Sequence, residues 1–186
     1  MIAQLLMLLL LLGTPASGET TAAAPTRFLV GMNEALAEPY TGRVYVMLTA
    51  SKRQEPRRGP DWFNPEPFFA LDVSNWSGEE PLVLDATSSG HPWALDALPE
   101  NEWTMQAVLR GGHNSQIGTG PGTRYSQAIT KNIGPHAGDI TLTIDQLEQP
   151  RSLPEIDGIE WAELESPMLT AALGKPTTHR AGVMPP

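Results

Sequence analysis

RVYVMLT, residues Arg43–Thr49, is the clearest strand signal in the chain. Val44, Val46 and Leu48 alternate with Tyr45, Met47 and Thr49, and β-branched and aromatic residues dominate. Both faces are nearly equally apolar, which predicts a central strand. Upstream, Pro39–Gly42 (PYTG) reads as a turn and Arg27–Met32 (RFLVGM) as the first strand. Downstream, Phe68–Val73 (FFALDV) and Leu82–Asp85 (LVLD) read as strands, and Thr87–Pro92 as a turn region. Leu95–Pro99 leads into Trp103–Leu109 (WTMQAVL), with Trp103, Met105, Ala107 and Leu109 on one face. Arg124–Ile133 and Asp139–Leu147 read as a closing pair, joined by a turn at Gly134–Gly138 (GPHAG). Ile140, Leu142 and Ile144 alternate cleanly with polar residues there. About seven short strands, Gly/Pro turns between them and no convincing amphipathic helix predict an all-β fold. The expected architecture is a single antiparallel β-sandwich over 27–147, immunoglobulin-like or transthyretin-like.

Between the second and third of these strands runs an unusual arm, Glu55–Trp76 (EPRRGPDWFNPEPFFALDVSNW). Pro56, Pro60, Pro65 and Pro67 fix φ and keep the residues before them extended, so the arm is stiff and non-helical. It carries Trp62, Phe63, Phe68, Phe69 and Trp76, and each such ring buries roughly 150–250 Å² when covered. Two roles fit: rings that cap the sandwich core, with Trp62 docked into it, or an aromatic platform for a ligand or neighbouring domain. Arg57 and Arg58 beside Trp62 and Phe63 are of the type found at binding hot spots. Trp62, Phe63, Arg57, Arg58 and Trp76 are therefore the candidate binding residues.

The two ends differ from the middle. Met1–Gly18 has the apolar run Leu5–Leu12 (LLMLLLLL), too short to span a bilayer, and small residues at Ala16 and Gly18. It reads as a signal peptide that carries the chain to the periplasm or outside the cell, leaving no membrane span after cleavage. Residues 19–26 form a Thr/Ala linker. Residues 148–186 read as a Pro-rich linker, in which Ile159–Leu164 (IEWAEL) could make one more strand. The final Val-Met-Pro-Pro reads as the lead-in to something further.

Composition excludes several chemistries. The net charge is −9 with no basic block, which disfavours nucleic acid as a partner. There is no cysteine, so disulfides, thiolate metal sites and cysteine nucleophiles are absent. No G-x-S-x-G elbow or S-x-x-K spacing occurs, so no serine is placed as a nucleophile and no catalytic residue is assigned. His91, His113, His136 and His179 fall in predicted turns or the tail, with no zinc spacing. Asp72, Asn75, Glu79 and Glu80 could offer calcium ligands, but not in EF-hand order. Gly118–Thr123 (GTGPGT) lacks the lysine and following helix of a phosphate loop and reads as a hairpin loop. No metal or cofactor is expected.

The order GRVYVMLT, then EPR…PDWFNPEPFFALDV…W, then WTMQAVL, RYS and ITLTID resembles a region of secreted bacterial esterases. There it precedes an α/β-hydrolase domain of the enterochelin-esterase-like type, and Leu164–Pro186 looks like the lead-in to that domain. The resemblance covers roughly residues 27–186. It implies an exported, non-catalytic accessory region whose partner is a hydrolase domain. The nucleophile motif of the family is missing, so none of its catalytic residues carries over. The alternative is a self-standing extracellular module that binds a glycan or peptide.

Overall fold

A computed structural model describes residues 23–51, 55–60, 63, 65–111, 117–150, 152–174 and 176–185. The signal-peptide reading, Trp62 and His113 lie outside the described residues. The chain divides into two units, the first ending at Glu148 and the second spanning Gln149–Pro186. Strand makes up 46% of the described residues and helix 11%, so burial of apolar side chains falls to the strands.

The first unit contains β1 (Arg27–Met32), β2 (Tyr40–Thr49), β3 (Phe68–Trp76), β4 (Leu82–Leu84) and β5 (Ser89–His91). It continues with β6 (Asn101–Leu109), β7 (Arg124–Ser126), β8 (Ile129–Ile133) and β9 (Asp139–Leu147). They form one sheet in the order β4-β1-β9-β7-β6-β2-β3-β5, with β8 also paired to β6. The central position expected for RVYVMLT holds, since β2 lies between β3 and β6. The sheet curls on itself. Phe28 of β1 and Phe69 of β3 bring their ring centroids within 5.8 Å, although four strands separate them in sheet order. Val44, Val46 and Leu48 of β2, and Trp103, Met105, Ala107 and Leu109 of β6, fill the space enclosed. Ile140, Leu142 and Ile144 of β9 join them, as their alternation predicts.

One pairing departs from an all-antiparallel sheet: β1 and β9 run parallel, from Arg27↔Asp139 to Met32↔Ile144. The cause lies at their shared starting edge. The Thr26 hydroxyl donates to the Gly134 carbonyl at 2.5 Å, and the Thr26 and Arg27 amides donate to the carbonyls of Pro135 and Gly138. The turn that launches β9 thus also anchors the entry of β1, and both strands leave it in the same direction. The Arg27 guanidinium grips the Asp139 carboxylate with two bonds of 2.8 Å.

Other boundaries shifted for local reasons. The expected turn at Pro39–Gly42 is a bulge inside β2, where the register slips between Tyr40 and Gly42. Gly42 makes room for the Tyr40 ring, because a Cβ there would meet the phenol oxygen at 2.7 Å. Within the expected turn Thr87–Pro92, Ser89–His91 pairs with β3 as an edge strand. The single strand expected over Arg124–Ile133 breaks at Gln127–Ala128, and its halves pair with different stretches of β6.

The second unit replaces the linker expected at 148–186. β10 (Glu160–Glu165) pairs antiparallel with β11 (Thr178–Val183), and α1 (Pro167–Leu173) lies between them. The Ser166 hydroxyl caps α1 by accepting from the Leu169 amide, and Gly174 at φ +66 ends it. Trp161 donates its indole N–H to the Pro154 carbonyl at 2.9 Å. The strand expected at Ile159–Leu164 is present. Its partner THRAGV has little apolar alternation, so only the pairing reveals it.

Val46 and Ala107 are cross-strand partners and fully buried. Val46→Asp and Ala107→Asp should each leave the first unit unfolded. An unpaired buried carboxylate costs several kcal/mol, comparable to the roughly 5–15 kcal/mol stability of a whole domain. Thermal melts as cooperative as wild type for both variants would refute this strand placement.

Hydrogen bonding and charge from Arg27 hold the Asp139 carboxyl below its ordinary value, and Arg43 does the same for Asp72. A depressed folded-state value means these pairs contribute fully above the unfolded aspartate value of about 3.9. Their contribution is lost as pH falls below it. Urea midpoints should therefore drop on acidification through that window, and Asp139→Asn should flatten the drop. An identical acid profile in the variant would count against the pair.

Candidate functional site

The sheet has a second, outer face, and β2 shows why. With Val44, Val46 and Leu48 in the core, the period of two turns Arg43, Tyr45 and Met47 the other way. Register then places Asp72 beside Arg43 and Phe68 beside Met47, while His91 of β5 lies beside Phe68. Three rings consequently cross the strands in a row. Tyr45 and Phe68 have centroids 6.3 Å apart at an interplanar angle of 59°, and Phe68 and His91 are 5.8 Å apart at 38°.

The arm divides: its rings Phe69 and Trp76 lie in the core, while its start at Pro56–Arg58 folds over this outer face. Pro56–Arg58 forms one 3-10 turn against β6 and β2, and Arg57 is only 4% exposed. Its guanidinium donates to the Gly118 carbonyl at 2.6 Å and to Glu148 at 2.9 Å, and to Glu55 at 3.1 Å. It also stacks 3.9 Å from the centroid of Tyr125. The Arg57 amide donates to the side chain of Gln106, which is itself buried and donates to the Ser126 carbonyl. Gly118, at φ +82, lies so close that a Cβ would collide with the Arg57 carbonyl. The glycine-rich loop is thus shaped to receive the arm.

Between sheet, arm and loop lies a groove of about 860 Å³. Its floor is Tyr45, Met47, Phe68 and His91; Arg58, Pro60 and Pro65 wall one side and Ile117 and Thr119 belong to the loop. A second hollow of about 620 Å³ adjoins it through Tyr45, bounded by Arg43, Arg110 and Arg124. Arg43 is held by Asp72 at 2.6 and 2.7 Å. Arg124 donates to the carbonyls of Leu36 and Glu38, and lies 5.6 Å from the Tyr40 ring centroid. Burial pushes the Tyr40 phenol above its ordinary value, so it stays neutral beside these arginines.

The sequence-predicted residues distribute unevenly. Arg57 holds the arm down from a buried position. Arg58 borders the groove and pairs with Glu55 at 3.0 Å. Trp76 sits in the core, 8% exposed, its indole N–H donating to the Glu80 carbonyl. Phe63 is 98% exposed and does not line the groove. Of the calcium candidates, the Asp72 carboxylate is taken up by Arg43. Among the described residues no group of three or more His, Asp or Glu side chains could hold a metal ion. Reasoning from sequence missed Tyr45, Phe68 and His91 as a set. Alternation separates Tyr45 from the core residues of β2, but nothing local pairs it with Phe68, and His91 read as a turn.

No family model matches the chain, and no curated protein or solved structure matches it.

Replacing Arg57 by methionine should destabilise the first unit by about 3–5 kcal/mol, because it strands partly buried Glu148 and the Gly118 carbonyl. Arg58→Met, at an exposed pair, should cost no more than about 0.5 kcal/mol. Equal urea midpoints for the two variants would contradict the role given to Arg57.

Proposed function

We propose that the chain is an exported, non-catalytic accessory module that holds its target in the groove over β2, β3 and β5. The row Tyr45–Phe68–His91 carries this reading. Aromatic rings facing a solvent-open cleft, with a few polar groups at its rim, are the usual composition of a binding site. In this reading the first unit is a β-sandwich of immunoglobulin-like or transthyretin-like kind. The contact of Phe28 with Phe69 across the core supports it. The leader-like run Leu5–Leu12 and the lack of cysteine support export to the periplasm or beyond. The resemblance to the region that precedes the catalytic domain of secreted esterases supports an accessory role, alongside a hydrolase domain, in place of a reaction of its own.

Glycan and peptide arrays probed with wild type and with Phe68→Ala and His91→Ala test the groove. Both variants should lose the bound features, and His91→Ala, at an exposed edge position, should keep the wild-type melting temperature. Features retained at full intensity by both variants would remove the groove from consideration. The chain should also fail to turn over p-nitrophenyl acetate; turnover abolished by replacing one serine would assign it a reaction instead.

A further inference from the structure

The hollow of about 620 Å³ beside the groove has a chemistry of its own. We propose that it is a second binding site, which takes a small carboxylate with an apolar body through the guanidinium of Arg124. Charge balance carries the assignment. Arg27, Arg43, Arg57, Arg58 and Arg180 each lie on a carboxylate at 2.6–3.1 Å. Arg124 is half-buried, yet its partners are neutral. Its Nη1 donates to the Leu36 carbonyl at 2.8 Å and to the Glu38 carbonyl at 3.1 Å, with the Met32 sulfur at 3.7 Å. The Tyr40 ring centroid lies 5.6 Å from the guanidinium carbon. Glu38 thus offers Arg124 its carbonyl and not its carboxylate. Nε and Nη2, the other edge of the planar group, make no hydrogen bond to a described residue.

A guanidinium drawn partly out of water without a counter-charge is costly, and an anion from outside relieves that cost. The unbonded edge carries two parallel N–H groups, which match the two oxygens of a carboxylate. The bonds of Nη1 hold the group in place before a ligand arrives, so little order has to be created on binding. Arg43 borders the hollow too, but Asp72 already neutralises it. Leu36, Pro39, Tyr45 and Leu147 supply apolar wall. Apolar walls around one fixing charge are the usual build of a small-molecule site. Phe68 and His91 do not border this hollow, so binding here is separable from binding in the groove.

Isothermal titration of the full chain with three probes decides the matter: 4-phenylbutyrate, its neutral amide and phenyl phosphate. The carboxylate should bind, and the amide at least about tenfold more weakly. Arg124→Lys keeps the charge but loses the planar fork, and should weaken the carboxylate by about tenfold. Leu147→Trp, at a position 40% exposed, should fill the hollow and abolish binding while circular dichroism and the melting temperature stay those of wild type. Arg180→Met, which removes a cation in the second unit, should bind as wild type does. No binding of 4-phenylbutyrate by wild type overturns the proposal. Equal binding of acid and amide overturns the role of charge. Phenyl phosphate bound at least about tenfold more tightly than the carboxylate overturns the ligand class. Unchanged binding in Leu147→Trp, or in a folded Arg124→Lys, overturns the site.

Discussion

A buried guanidinium ties the outer face of this protein together. Arg57 reaches Gly118, 61 residues on, and Glu148, 91 residues on. Those contacts bring the proline arm, the glycine-rich loop and the end of β9 to one point. A charge this deeply covered is tolerable only with partners on most of its donors, and the two carboxylates, one carbonyl and the Tyr125 ring supply them. Release of any of these would leave an uncompensated charge or open the wall of the groove. The prolines at 56, 60 and 65 limit what the arm loses in entropy when it docks.

The sheet below serves two layers at once. Its concave side closes around a core through Phe28 and Phe69, while its other side carries the arm, the loop and the three rings. That division explains why RVYVMLT is apolar on both faces. Val44, Val46 and Leu48 face the core, Met47 is buried beneath the arm, and Tyr45 remains half-exposed between the two hollows. A strand buried on one side only would alternate more sharply. The proposed ligand surface thus arises where the outer cover is incomplete.

The small C-terminal unit is stabilised by different means. Its ribbon has two strands, few enough that a hairpin alone is marginal in water. A capped helix, the Trp161 bond to Pro154 and the Glu163–Arg180 pair at 2.6 Å supplement the ladder. Leu164 and Met168 remain exposed, at 71% and 80%.

The sequence by itself determined the strands β1, β2, β6 and β9, and for β6 and β9 the face that turns to the core. Period-two alternation is a local property, and a curled sheet satisfies it. It also determined that the arm is stiff and that helices are short. Tertiary structure decided the rest. The parallel pairing of β1 with β9 depends on Thr26 finding the turn at Gly134–Gly138, more than 100 residues away. Trp76 and Phe63 read alike as aromatic candidates, but one lies in the core and the other in solvent. Arg57 read as a binding candidate beside Trp62 and Phe63, and only the convergence of Gly118, Glu148 and Tyr125 makes it a buried anchor. Tyr45, Phe68 and His91 come from three strands and become neighbours through register alone. Register is set by the core on the opposite face of the sheet, so no local pattern could announce the row.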